Sequence, residues 1–146
     1  MPATARSLAR LGLLVALTAP LFAADTHQEM LDLLASLAGA LSEGNGIAFL
    51  DHVDHAMPDY GRFEQNILAL TEQNEVTASI DIIQQDGDEN AQTLELDWFL
   101  EIHSRERSGT FERRRKMVKC RVERQKKKWK IVALDPLTLF APQAVR

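Results

Sequence analysis

The apolar residues of this chain change their period once, near Asn74, and that single change restricts it to helices first and strands afterwards. Before it, Met30, Leu33, Leu34, Leu37 and Leu41 recur at the spacing of one helical face. The Glu43-Gly44-Asn45-Gly46 stretch ends that helix, and Ile47, Leu50, Val53 and Met57 predict a second, short one over 47–57. Pro58 breaks it, because the residue before a proline avoids helical dihedrals. Asp59 is then placed to cap a third helix with Tyr60, Phe63, Ile67 and Leu70 on its buried stripe. After Asn74 the period is two: Val76, Ala78, Ile80 and Ile82, then Leu94, Leu96, Trp98, Leu100 and Ile102. Val118, Cys120 and Val122 follow, and then Trp129 to Leu134, which Asp135-Pro136 stops. Turns are expected at Asp86-Gly87-Asp88, at Ser108-Gly109 and at Gln125 to Lys127. Three helices and a four-strand meander make an α+β domain, with the helices covering one face of a curved antiparallel sheet.

The first residues read differently. Arg6 and Arg10 precede an apolar run from Leu11 to about Phe22, and the small Ala23 and Ala24 follow. This is the layout of a bacterial secretory signal peptide, with cleavage expected after Ala23. The run is too short for a permanent membrane span. Residues 1–24 are therefore assigned to the signal peptide and 25–146 to one exported domain, periplasmic or secreted. Its single cysteine, Cys120, cannot form an internal disulfide, so the core must hold the fold unaided. Its place between Val118 and Val122 favours a buried, inert thiol over a reactive or intermolecular one.

Charge is divided sharply along the chain. From Asp25 to Ser104 there are 17 acidic residues and one basic residue; from Arg105 to Lys130 there are 13 basic and three acidic. A hairpin centred on Gly109 reconciles the basic run with its alternating apolar residues. It sets Leu100 opposite Val118, Trp98 opposite Cys120 and Leu96 opposite Val122. On the other face it sets Asp97 opposite Arg121, with Glu95 and Glu101 diagonally near Arg121 and Lys119, and His103 opposite Arg115. Most of the basic residues then form the outer face of a sheet. The alternative is an anion-binding surface at the hairpin tip, formed by Arg105, Arg107, Arg113, Arg114 and Arg115, for anionic lipid, cell-wall polymer or nucleic acid. Export, and the lack of aromatic residues alternating along the basic face, argue against nucleic acid.

Chemistry-bearing candidates are few. His52 and His55 in Asp51-His52-Val53-Asp54-His55 are helical neighbours but face away from Leu50 and Val53, and two histidines alone make a weak metal signal, so no metal is expected. Asp54 borders the buried face closely enough to lean into a pocket. Tyr60, on the apolar stripe, needs a partner for its hydroxyl, as a pocket donor or a satisfied core residue. No Gly-rich phosphate loop, nucleophile elbow or cysteine pair is present, and no cofactor is expected. The inward positions of the strands read as nearly all apolar.

The order of these elements, with FLDHVD, EVTASIDII, LELDWFLEI, VKCRVER and the closing WKIVALDPLTLF, resembles the nuclear transport factor 2-like superfamily from about Met30 to Phe140. Within it the chain is most similar to exported bacterial members of unassigned activity. The resemblance implies a cone: a bent sheet wrapped around three helices with an apolar pocket at the open end, and dimerisation through the outer sheet face. The expected function is an exported small binding protein. Tyr60, Phe63, Trp98, Leu100, Val118 and Trp129 would line a pocket for a hydrophobic small molecule or a partner segment. One alternative is an isomerase, cyclase or dehydratase of the ketosteroid-isomerase or SnoaL type, with Asp54 as base and Tyr60 as acid or oxyanion donor. Another is a dimeric interaction module that touches an anionic surface through the Arg-rich tip.

Overall fold

A computed structural model describes residues 19–106 and 109–142. Most of the expected signal segment, and Arg107 and Ser108 of the expected tip, lie outside these. Helices α1 (Ala19–Ser42), α2 (Gly46–Leu50) and α3 (Tyr60–Gln73) precede strands β1 (Asn74–Gly87), β2 (Ala91–Ser104), β3 (Phe111–Gln125) and β4 (Lys128–Asp135). A 3₁₀ turn, Leu137–Phe140, follows. The sheet is an antiparallel meander in the order β1-β2-β3-β4. The change of period at Asn74 is therefore the boundary between α3 and β1.

Met30, Leu33, Leu34, Leu37 and Leu41 of α1 are buried, as are Phe63, Ile67 and Leu70 of α3. They meet Leu94, Leu96, Trp98, Leu100 and Ile102, none of which keeps any solvent exposure. Each such large side chain contributes about 1.5–3 kcal/mol when fully buried. The second helix is shorter than its apolar spacing suggests. It stops at Leu50, because the next residues pair with β4 instead: Ile131 N–H donates to His52 O and Asp54 N–H to Ile131 O, at 2.8 Å each. Phe49 joins Leu50 on the buried side of α2, and Ile47 is left 70% exposed. Asp59 precedes α3 in the left-handed region (φ 62°) and makes no side-chain cap; its carbonyl accepts from Phe63 N–H.

The β2–β3 register corrects the sequence reading. Pairing is centred two residues before Gly109, so Leu94 faces Cys120 and Leu96 faces Val118, while Trp98 and Leu100 face Lys116 and Arg114. Asp97 faces Met117 rather than Arg121, and His103 faces Phe111 rather than Arg115. The offset is an even number of residues, so every side chain keeps its face. Charge explains the choice. Glu101 now opposes Arg113 and Glu95 opposes Lys119, and Arg115 reaches Asp97 with two hydrogen bonds of 3.0 and 2.6 Å. The inward side of β3 consequently begins with Glu112, Arg114 and Lys116, so it is not uniformly apolar.

Candidate functional site

The wide interior between the helices and the sheet is closed by aromatic side chains. Phe49 from α2, Phe63 from α3, Trp98 from β2 and Phe140 from the 3₁₀ turn pack with centroid separations of 4.9–6.3 Å. Phe140 stands edge-on to both Phe63 and Trp98. Leu100 and Val118 complete the same buried layer. One polar atom stands out within it. Trp98 is fully buried and its indole Nε1–H has no hydrogen-bond partner. A donor left in this state costs about 1–3 kcal/mol. The 3₁₀ turn that delivers Phe140 is tied down by Arg114, whose Nη1 donates to Leu139 O and Ala141 O and whose guanidinium is held by Glu112 at 2.8 and 3.0 Å.

Of the residues expected to line an open pocket, Phe63, Trp98, Leu100 and Val118 are thus brought together, in a filled core. Trp129 is buried elsewhere, at the end of the sheet beside the β1–β2 turn. Its Nε1–H donates to the Glu29 carboxylate, and the Arg124 guanidinium lies 4.5 Å from its ring centroid. Arg124 also donates to Glu29 at 2.8 Å. The Trp129 bond, with Arg124 adding to it, holds the Glu29 carboxyl below its ordinary range. An open groove of about 590 Å³ adjoins this network, with Asp51, His52 and Lys130 on its other side.

Tyr60 is half-buried on the rim. Its hydroxyl donates to Glu64 at 3.3 Å, and the His55 ring lies tilted against the phenol ring at a centroid separation of 4.7 Å. Burial, then the Glu64 charge, pushes the phenol above its ordinary value. Asp54 is partly exposed and closes a turn. Its carboxylate accepts from Ala56 N–H at 2.8 Å and from the Gln125 side chain at 2.6 Å, and these bonds lower its pKa. His52 is half-buried, and burial followed by the Lys130 charge favours its neutral form. Among the described residues, no group of three or more His, Cys, Asp or Glu is placed to hold a metal ion.

The arginines of the expected tip diverge. Arg113 and Arg115 point outward to Glu101 and Asp97, Arg114 points inward to the 3₁₀ turn, and Arg105 bonds through its backbone N–H to Gln73 O. Sequence reasoning also passed over Phe49, Glu29 and Gln125. Phe49 was legible in principle, since Phe49, Leu50 and Val53 form an alternative helical stripe; Glu29 and Gln125 carry no local signal of their partners.

The sequence matches no protein-family model and no curated protein. Solved structures do match in shape. One is a conserved protein from Planctomyces limnophilus (TM-score 0.67, 8% identity, covering 75% of this chain and 93% of that one). Another is a nuclear transport factor 2-like superfamily protein from Salmonella enterica serovar Typhimurium (0.60, 10%, 85% and 96%). A third is a type 2 hexachlorocyclohexane dehydrochlorinase (0.62, 9%, 79% and 86%).

Proposed function

The chain has the nuclear transport factor 2-like fold, and on that premise we propose that it is a non-catalytic binding protein. Its cone receives a hydrophobic small molecule carrying one hydrogen-bond acceptor, which enters as Phe140 withdraws. The unpartnered Trp98 N–H carries this reading: it is a donor in an apolar interior with no acceptor of its own. Such sites combine apolar walls with a few placed polar groups. A catalytic reading would rest on Asp54 as base, but two hydrogen bonds already stabilise its ionised form and weaken it for that task. Export, with cleavage after Ala23, belongs to the same proposal.

Acetophenone and ethylbenzene, which differ in one acceptor, test it by nuclear magnetic resonance of the indole N–H groups. In the unmodified protein acetophenone should shift the Trp98 signal and bind about fivefold more tightly than ethylbenzene, the worth of one net hydrogen bond. Trp98→Phe should abolish that preference in a protein that still folds, and Asp54→Asn should leave it intact. Failure of both compounds to bind would overturn the reading.

A further inference from the structure

β3 is longer than its second neighbour. It pairs with β2 from Phe111 to Glu123, but with β4 only from Lys119 to Gln125, so Phe111 to Val118 lie at an open edge. The bond from Ser104 N–H to Thr110 O sets the alternation of the β2–β3 ladder. Even-numbered residues of β3 turn their backbone groups toward β2. Phe111, Arg113, Arg115 and Met117 turn theirs outward, and among the described residues none of these groups meets a backbone partner. A groove of about 860 Å³ runs beside this edge, walled on its far side by Thr138, Leu139, Ala141 and Pro142. Its β3 side carries Arg113, Arg114, Arg115 and Lys116 against Glu112.

We propose that this edge takes an extended acidic peptide as an added strand, with the groove walled by the 3₁₀ turn as its seat. A row of alternating N–H donors and C=O acceptors is what another polypeptide backbone complements, while side-chain pockets and charge supply selectivity. Arg113 and Arg115 remain 65% and 71% exposed although each is ion-paired, so a second carboxylate can reach them. Lys116, also exposed, forms none of the ion pairs of the described residues. The same charges disfavour a second copy of this edge, since antiparallel self-pairing about Arg114 sets arginine against arginine. A nucleic acid would satisfy the charges but leave the outward carbonyls without donors.

The inference is independent of the cone, and fluorescence anisotropy with a labelled heptapeptide of alternating Glu and Val tests it. That peptide should bind, and its lysine-for-glutamate counterpart should not. Methylating alternate amide nitrogens on the strand-facing side keeps the charge but removes donors, and should weaken binding about tenfold. Arg113→Pro removes an outward N–H and the Arg113 charge but no backbone bond to β2, and should weaken binding at least as much. Amide exchange at Arg113 and Arg115 should slow in the unmodified protein when the peptide is present. Equal binding of the methylated peptide, tighter binding of a single-stranded oligothymidine, or unchanged exchange at both amides would each overturn the assignment. So would a concentration-dependent dimer that Arg113→Pro dissolves in a protein that binds no peptide.

Discussion

Glu29 joins α1, β3 and β4 through a single carboxylate, by accepting from Trp129 and Arg124. Because its folded-state pKa is depressed, its contribution is complete above the unfolded value of about 4.3 and is lost as pH falls through the folded value. The network is partly exposed, so Glu29→Gln should cost only about 1 kcal/mol or less near neutral pH. Thermal melts should show the gap from the unmodified protein closing in acid. Cys120 behaves in the opposite sense. Burial pushes its thiol up to about 12, so the thiolate is negligible at neutral pH. Iodoacetamide should leave the native protein unlabelled and alkylate it once urea unfolds it, as read by intact mass. Burial of Cys120 was legible from its valine neighbours; the role of Glu29 was not, because its partners lie about a hundred residues away along the chain.

At the scale of elements, alternation assigned each strand residue to its face, but could not choose among offsets of the same parity. The choice came from charge on the outer face and from what covers the inner one. A double-mutant cycle on Asp97 and Arg115 should give a small favourable coupling, whereas Asp97 and Arg121, paired in the sequence reading, should give none. Urea unfolding of the single and double alanine variants measures both. Helix α2 shows the same limit. Its apolar spacing continues past Leu50, but pairing with Ile131 takes the chain out of helix there. Gly46, its first residue, marks how closely α2 lies on α3, since a Cβ there would sit 2.7 Å from Thr71 Oγ1. Gly46→Ala should therefore destabilise the fold by about 1–3 kcal/mol in the same urea experiment.

At the scale of the whole molecule, the sheet and helices leave a space that the last described residues fill. Arg114→Ala removes the donors that hold Leu139 O and Ala141 O, and should lower stability by about 2 kcal/mol while speeding amide exchange in the 3₁₀ turn relative to β2. The charge asymmetry of the sequence becomes, in three dimensions, an acidic strand beside a basic one, with the excess basic charge toward the open edge of β3. The periods of its apolar residues determined the order of elements, the identity of most core residues and the face of every strand, because those follow from geometry repeated every few residues. Which residues oppose one another, where α2 ends, how Phe140 fills the cone and why Trp98 is left without an acceptor were decided only by the tertiary structure. These depend on groups far apart in the chain competing for the same space and the same hydrogen bonds, and no local pattern records the outcome of that competition.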